Sequence, residues 1–256
     1  MIELDGLSVT YSGGIQALKS ISLDFYQGQF TVILGASGSG KSTLLRCLNG
    51  LRQVSAGRIT IKGLGKLQEP KVLHQHRKRT GMIFQQHQLI GRQTALENVL
   101  IGRLAYHSIL RSLLPLPKAD KYIALECLDR VGLLSKALVR VDNLSGGQQQ
   151  RVGIARALAQ QPQLILADEP VASLDPASAH KVLSFLRQIC EEDGISVIVS
   201  LHQVDLARAY ADRIVGLSQG CVVFDGSAAE IGESELDGIY DNTDDTAPNQ
   251  LEEVAS

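Results

Sequence analysis

One short segment near residue 35 restricts the possible folds of this chain more than any other. Residues 35–42 read Gly-Ala-Ser-Gly-Ser-Gly-Lys-Ser. They directly follow residues 30–34, Phe-Thr-Val-Ile-Leu, a nearly continuous apolar run typical of a parallel strand buried on both faces. A strand, this loop and a following helix form the context in which such a segment wraps around phosphate groups. The sequence therefore predicts a phosphate-binding loop between a buried strand and a helix over residues 42–50.

Each residue type in this loop has a physical role in holding phosphates. The glycines remove side chains where phosphate oxygens must approach the backbone, and the N–H groups of the loop and of the helix start donate to those oxygens. Lys41 is expected to reach the β and γ phosphates, and Ser42 to coordinate Mg²⁺. The expected binding residues are Gly35, Ala36, Ser37, Gly38, Ser39, Gly40, Lys41, Ser42 and Thr43.

A second apolar run supplies acidic groups for the same site. Residues 164–167 read Leu-Ile-Leu-Ala and end in Asp168 and Glu169. Because the carboxyl ends of parallel strands meet the bound phosphates, Asp168 is expected to hold Mg²⁺. Glu169 can orient and polarise an attacking water for in-line displacement. The two runs together predict hydrolysis of a nucleotide rather than binding alone.

The order of the elements predicts an α/β fold with a parallel core sheet. Residues 2–4 and 21–25 alternate apolar and polar side chains as strands do, and residues 195–199 form another buried strand. A mainly helical part, about residues 87–160, is expected to be inserted between the core strands at 30–34 and 164–167. We predict one folded domain over residues 1–231.

Charge is distributed unevenly although the net charge is only −2. Residues 232–256 hold eight acidic residues and no Lys or Arg, and the remaining 25 basic and 19 acidic residues give residues 1–231 about +6. The acidic segment, 232–256, is expected to be disordered. The modest basic excess suits an anionic ligand or a membrane-facing surface but does not indicate nucleic acid.

Targeting and redox features are few. The chain contains no apolar run near the roughly 18 residues that span a bilayer, and its first residues resemble a strand rather than a signal peptide. No two of the four cysteines are spaced as a CxxC pair. They are expected to be reduced, buried thiols in a cytoplasmic protein.

A further motif, Leu-Ser-Gly-Gly-Gln at residues 144–148, stands between the phosphate loop and the acidic strand. This combination resembles the nucleotide-binding subunits of ABC transporters, over about residues 1–230. The resemblance implies a P-loop NTPase domain with an N-terminal antiparallel β part, a mainly parallel core sheet and a helical subdomain. It also implies ATP and Mg²⁺ as cofactors.

The resemblance assigns roles to residues outside the phosphate loop. Tyr11 matches the aromatic residue that stacks on adenine, and Asp175 lies in a segment that resembles the D-loop. The implied catalytic residues are Glu169, Gln85 and His202, and the implied metal-binding residues are Ser42, Gln85 and Asp168. The signature residues, which contact the partner's ATP in this family, are Ser145, Gly146, Gly147 and Gln148.

The family also implies partners and a location. Two copies of the chain are expected to enclose two ATP molecules between them in an isologous dimer. Two transmembrane permease subunits are expected to bind this dimer at the cytoplasmic face of the inner membrane, and a solute-binding protein acts indirectly through them. No nucleic-acid partner is expected.

Four segments resemble in sequence the ATP-binding subunits of phosphonate importers: residues 95–104, 111–114, 166–176 and 201–206. This implies import of phosphonates or of the related anions phosphite and hypophosphite. The alternatives are an importer of a different solute, a soluble ABC ATPase acting on nucleic acid or ribosomes, and an exporter subunit. Soluble DNA-repair members need long coiled coils and translation-type members carry two cassettes, neither of which this sequence contains.

Overall fold

The computed structural model describes residues 1–86, 88–107 and 116–240. The strands are β1 (Ile2–Thr10), β2 (Gln16–Phe25), β3 (Phe30–Leu34), β4 (Ala56–Ile61), β5 (Gly65–Lys66), β6 (Thr80–Ile83), β7 (Leu164–Asp168), β8 (Ser196–Leu201), β9 (Arg213–Ser218) and β10 (Cys221–Ser227). The α-helices are α1 (Lys41–Leu48), α2 (Pro70–Lys78), α3 (Ala95–Leu100), α4 (Lys118–Arg130), α5 (Gly146–Ala159), α6 (Pro176–Asp193), α7 (Val204–Tyr210) and α8 (Glu233–Tyr240). Short 3₁₀ helices span Ile101–Tyr106, Leu134–Lys136 and Val141–Asn143.

The core sheet has the strand order β10-β9-β3-β8-β7-β6, and only the pairing of β10 with β9 is antiparallel. Successive residues of its central strands enter two different hydrophobic cores. Val32 and Leu34 lie in one core, whereas Ile33 lies in the other. Each fully buried side chain of this size stabilises the fold by about 1.5–3 kcal/mol. Burial on both faces explains why these strands are apolar runs without alternation.

A second, antiparallel sheet covers one face of the core sheet through α1. Its strand order is β2-β1-β4-β5, and Leu4 and Leu7 of β1 share a core with Leu44 and Leu45 of α1. This arrangement confirms the predicted α/β fold with an N-terminal antiparallel part and a mainly parallel core sheet. It also places α1, which directly follows the loop after β3, between the two sheets.

The helices α3, α4 and α5 pack on one another and fill the other core. The helical part lies between the core strands at 30–34 and 164–167, as predicted. These two are not consecutive core strands, however, because β6 comes between β3 and the helical part and also belongs to the core sheet. Strand β6 has only four residues, one of which is Gly81. It therefore lacks the apolar run that is typical of a buried strand. A Cβ there would lie 3.0 Å from Ala157 Cβ, so the glycine permits the close approach of α5.

The expected disorder of residues 232–256 is wrong over Glu233–Tyr240, which form α8. This helix packs on β9 and β10. Ile239 is 1% exposed and belongs to the core that α3, α4 and α5 fill, and Leu236 and Tyr240 pack against this core. Apolar side chains therefore anchor a segment whose charge favours disorder. Residues 241–256 lie outside the described residues.

Most of the cysteine thiols and one histidine ring are buried. Cys47, Cys127 and Cys190 are buried thiols as expected, whereas Cys221 is partly exposed. Burial raises the pKa of Cys47 to about 12, which keeps the thiol protonated and unreactive. His76 of α2 is also buried, with its Nε2 atom 2.8 Å from the Leu48 carbonyl oxygen.

Among the described residues, none of the helices combines the length and the apolar character that a membrane span requires.

Candidate nucleotide-binding site

The loop between β3 and α1 owes its shape to glycines that act in two different ways. A Cβ at Gly35 would lie 2.6 Å from Ser39 Oγ, and one at Gly40 would lie 2.7 Å from the Ala17 carbonyl oxygen. Gly38 has a φ of 81°, and its Cβ position faces open space. The sequence reasoning assigned all three glycines to phosphate approach. The structure shows that Gly35 and Gly40 are needed first for close packing of the chain on itself.

The ammonium group of Lys41 is enclosed by this loop. Its Nζ donates to the carbonyl oxygens of Gly35 and Ala36 at 2.9 Å each and lies 3.5 Å from Glu169 Oε1. The side chain is 3% exposed, and its three N–H groups face three acceptors that offset the loss of hydration. A phosphate group that enters the loop can take the place of these acceptors.

Asp168 and Glu169 follow each other at the end of β7 but have different surroundings. Asp168 is buried, and its Oδ1 accepts hydrogen bonds from Ser42 Oγ at 2.8 Å and from Ser200 Oγ at 2.9 Å. Glu169 has a positive φ of 42°, and its side chain, 20% exposed, faces Lys41. One carboxylate is therefore fixed in the interior, and the other is accessible beside the phosphate loop.

Three oxygen donors fit a magnesium ion. Ser42 provides a hydroxyl, Asp168 a carboxylate and Gln85 a side-chain amide, and hard oxygen donors of this kind are those that Mg²⁺ prefers. Ser42 and Asp168 are in direct contact, and Gln85 lines the same cavity as Ser42. These donors would suit Mg²⁺, which proteins usually bind through one or two carboxylates together with substrate phosphates.

An open cavity of about 530 Å³ collects these groups. It is lined by Tyr11, Ile15, Gln16, Ala17, Lys19, Ser37, Gly38, Gly40, Lys41, Ser42, Thr43, Gln85, Glu169, Gln219 and Gly220. The Tyr11 hydroxyl lies 3.0 Å from Thr43 Oγ1, and the Arg52 guanidinium lies 4.2 Å from the centre of the Tyr11 ring. These two contacts orient the ring at the edge of the cavity. The volume is in the range of small-molecule sites, about 300–1,000 Å³.

The Leu-Ser-Gly-Gly-Gln motif starts α5 with reciprocal capping bonds. Ser145 Oγ accepts from the Gln148 N–H at 3.4 Å, and Gln148 Oε1 accepts from the Ser145 N–H at 3.0 Å. A Cβ at Gly147 would lie 3.1 Å from Ser178 Oγ, so the glycine also permits α6 to approach. Ser145 and Gly146 are exposed, and this helix start presents N–H donors and a positive dipole end to an anion.

Asp175 and His202 lie at the starts of α6 and α7. Asp175 Oδ1 accepts from the Ser178 N–H at 3.0 Å, and hydrogen bonds from Ser178 hold the pKa of Asp175 below its usual value. His202 is exposed, and its carbonyl oxygen accepts a hydrogen bond from the Tyr240 hydroxyl at 2.8 Å. The helix α8 therefore contacts the segment that carries His202.

Comparison with known proteins identifies the family. The sequence profile of the ABC transporter family matches residues 18–172, more than half of the chain. The chain belongs to the ABC transporter family. Its resemblance to the nucleotide-binding subunits is thereby confirmed, and the loop, the acidic strand end and the capped α5 are parts of an ABC-type ATPase.

Relatives of this ABC ATPase cover nearly its whole length. A phosphonates import ATP-binding protein of Nostoc sp. is 75% identical over 260 residues, which cover 100% of this chain and 99% of the relative. A phosphite import ATP-binding protein of Stutzerimonas stutzeri is 60% identical over 97% of this chain and 90% of the relative. A dimeric ATP-binding cassette bound to ADP and Pi has a TM-score of 0.79 at 36% identity, covering 89% of this chain and 99% of that one.

The fold of the ABC ATPase brings some of the predicted site residues together and leaves others apart. Tyr11, Gln85, Glu169 and the phosphate loop share one cavity. Among the described residues that line this cavity, the signature residues, Asp175 and His202 do not occur. They lie at or just before the starts of α5, α6 and α7.

Sequence reasoning missed two polar contacts of the ABC ATPase site. Ser200 touches Asp168, and Arg52 stacks on Tyr11. The signal for Ser200 was a hydroxyl that interrupts an apolar strand, two residues before His202. The sequence contains no comparable signal for Arg52, because Arg52 lies in a segment without apolar periodicity. The pairing of β1 with β4 brings this segment near Tyr11.

Proposed function

We propose that this ABC ATPase is the ATP-hydrolysing subunit of an importer for phosphonates or for reduced-phosphorus anions such as phosphite and hypophosphite. The observation that carries the proposal is the identity of 75% to a phosphonates import protein and of 60% to a phosphite import protein, each over nearly the whole chain. Since the two relatives differ in their solutes, the similarity supports this class of anion and not one member of it.

In the proposed site, ATP enters the cavity with its phosphates in the loop. Lys41 exchanges the Gly35 and Ala36 carbonyl oxygens for the β and γ phosphates, and the loop N–H groups donate to the remaining oxygens. Tyr11, held by Thr43 and Arg52, stacks on adenine at the open end of the cavity. The ring and the loop line the same cavity, so one nucleotide can contact both.

Glu169 is the general base of the proposed reaction. It lies beside Lys41 at 3.5 Å, and when Lys41 turns to the phosphates, the carboxylate is left to accept a proton from the attacking water. Gln85 orients this water from another part of the cavity lining. His202 does not line this cavity, and its bond to the γ phosphate is the role that the family resemblance implies for it.

Ser42, Asp168 and Gln85 would hold Mg²⁺ in this site. The ion, when bound, neutralises charge on the β and γ phosphates during transfer. Ser42 and Asp168 are already joined by a hydrogen bond of 2.8 Å, so the protein holds both donors in place before the nucleotide arrives.

The complete catalytic unit is a dimer of this chain with two ATP molecules between the subunits. The exposed start of α5, with Ser145 and Gly146, is an anion-binding helix end that its own chain does not use. A related cassette is dimeric in a state bound to ADP and Pi, which supports this arrangement. In the dimer, Ser145 to Gln148 and Asp175 of each subunit complete the partner's site.

The dimer binds two transmembrane permease subunits at the cytoplasmic face of the membrane as a peripheral subunit. A solute-binding protein selects the anion and acts on this chain only through the permeases. The names of the relatives, which describe ATP-binding proteins of importers, support this assembly.

The Glu169→Gln variant tests the hydrolytic part of the proposal, with Glu3→Gln as the control because Glu3 is exposed on β1. The variant should bind ATP and form a stable dimer with it, while its turnover falls by about 10²-fold or more, because the amide cannot accept the proton. Turnover at the wild-type rate, or a monomer under saturating ATP in size-exclusion chromatography, would contradict the assignment of Glu169.

Uptake of radiolabelled phosphonate and phosphite tests the solute. A strain that lacks this chain should lose uptake of one or both, and regain it with the wild-type chain but not with Glu169→Gln. If the deletion strain takes up every reduced-phosphorus anion at the wild-type rate, the solute assignment is wrong, and the assignment as an ABC ATPase stands.

A further inference from the structure

A hydroxyl group is buried in the middle of the core sheet, directly behind the two acidic residues. Ser200 lies in β8, where all six residues are buried, and its own exposure is 0%. Its neighbours along the strand, Val199 and Leu201, are core residues. A hydroxyl without partners in such a place would be strongly destabilising, so its hydrogen bonds explain why it can be there.

The Ser200 hydroxyl joins the two acidic residues by different bonds. Its O–H donates to Asp168 Oδ1 at 2.9 Å, and its oxygen accepts from the Glu169 N–H at 2.8 Å. A hydroxyl has one proton, so the donor bond is fixed on the carboxylate and the acceptor bond on the backbone. Through one atom, β8 therefore constrains the side chain of Asp168 and the main chain of Glu169.

The backbone at Glu169 is one that needs such a constraint. Its φ is 42°, in the left-handed region that a side chain other than glycine rarely adopts. Residues held in this conformation relax unless the surrounding structure fixes them. The bond from the Glu169 N–H to Ser200 holds the peptide and thereby aims the carboxylate toward Lys41 and the cavity.

We propose that Ser200 is a positioning residue for ATP hydrolysis, which sets the direction of the Glu169 carboxylate and the orientation of Asp168 through its single hydroxyl group. The inference rests on the proposed roles of Glu169 and Asp168. Ser200 itself lies behind both residues, within the sheet, and acts on the reaction only through them.

The same strand offers a matched control. Ser196, also in β8 and also buried, accepts the Gly28 N–H at 2.9 Å through its Oγ, at the opposite end of the strand from Asp168. Ser196→Ala and Ser200→Ala each remove one buried hydroxyl and leave one backbone N–H without its acceptor. A purely structural role for Ser200 predicts that both variants behave alike.

The experiment compares wild type, Ser200→Ala, Ser196→Ala and Glu169→Gln in three measurements. These are ATP affinity by titration, steady-state kcat and KM, and hydrogen–deuterium exchange of backbone amides. We expect Ser200→Ala to keep the affinity for ATP and the KM within about twofold while kcat falls about 10- to 100-fold, the size of effect that misplacement of a reacting group produces. The Glu169 amide should exchange faster in this variant, and the Gly28 amide in Ser196→Ala, whose kcat should stay near that of wild type.

A Ser200→Thr variant separates loss of the hydroxyl from loss of folding. It keeps the donor and acceptor, and it should recover at least part of kcat relative to Ser200→Ala. If Ser200→Ala has the kcat of Ser196→Ala, or if kcat and ATP affinity fall together, the positioning role is refuted. If Glu169→Gln hydrolyses ATP normally, the proposed role of Glu169 is refuted instead, whatever Ser200 does.

Discussion

Replacement of Ile239 by alanine should destabilise the whole domain, although the residue lies in an acidic segment near the C-terminal end. Ile239 is 1% exposed and packs on Gly216 of β9, where a Cβ would lie 2.5 Å from Ile239 Cδ1. Truncation of a buried isoleucine to alanine costs about 2–5 kcal/mol. Because α8 is short and can relax into the space, we expect about 2–3 kcal/mol, the lower part of that range.

Thermal unfolding followed by circular dichroism measures this effect. For a domain of this size, about 2–4 °C of Tm is lost per kcal/mol, so Ile239→Ala should lower Tm by about 4–12 °C. Deletion of residues 241–256, which contain few large apolar side chains, is the control and should leave Tm nearly unchanged. An unchanged Tm in Ile239→Ala, or a fall of similar size in the control, would refute the anchoring role of this side chain.

The reciprocal change tests the same contact from the other side. Gly216→Ala places a methyl group against Ile239 and Phe224 Cβ, the latter at 3.0 Å, and should lower Tm by overpacking. In the double variant, the shorter side chain at position 239 leaves room for the new methyl group. The double variant should therefore lose less stability than the sum of the two single changes, because residues in contact are not additive.

Three other variants test separate parts of the molecule. Lys41→Ala should lose ATP affinity and turnover together, because it removes the cation of the phosphate loop; nucleotide titration measures this. Ser145→Arg should keep ATP affinity in the monomer and lose turnover, and equal loss of affinity in both variants would contradict a site built from two chains. Asp120→Asn should cost about 3 kcal/mol in thermal unfolding, because it leaves Arg103, 2.9 Å away and buried, without its charge partner, whereas the exposed Asp129→Asn on the same helix should cost little.

Asp120 is the centre of the polar group that ties the 3₁₀ helix after α3 to α4. Arg103 Nε donates to Oδ1 at 2.9 Å, and His107 Nε2 lies 2.6 Å from Oδ2. Burial of Asp120 opposes its ionisation, but the hydrogen bonds from Arg103 and His107 outweigh this and hold its pKa below the usual value. The carboxylate is therefore charged at neutral pH, and its removal takes a hydrogen-bond partner from both Arg103 and His107.

Local patterns sufficed to predict the central strands and the phosphate loop. Strands β3, β7 and β8 are apolar runs because both faces of the sheet are covered, and that pattern can be read without a structure. Strand β6 could not be read, because it has four residues and its Gly81 is set by the approach of α5, a contact distant in sequence. Disorder was predicted for α8 from charge, whereas Ile239, Leu236 and Tyr240 pack the helix onto the core.

The site also contains residues that the sequence reveals and one residue that only the assembled sheet reveals. The phosphate loop and the pair Asp168 and Glu169 carry their chemistry in consecutive residues, so the sequence reveals them. Ser200 is 31 residues beyond Glu169, and only the register of β8 against β7, which pairs Asp168 with Ser200, brings them together. Spacing along the chain holds no information about such a bond until the sheet has been assembled.

The exposed position of Ser145, away from the cavity of its own chain, has a genetic consequence. In the proposed dimer, each ATP is held by the phosphate loop of one subunit and the α5 start of the other. A subunit with Lys41→Ala still has an intact α5 start for the partner's site, and a subunit with Ser145→Arg still has an intact phosphate loop for its own site. Co-expressed in one cell, these two inactive alleles should therefore form mixed dimers with one intact site, and each should partly rescue the other.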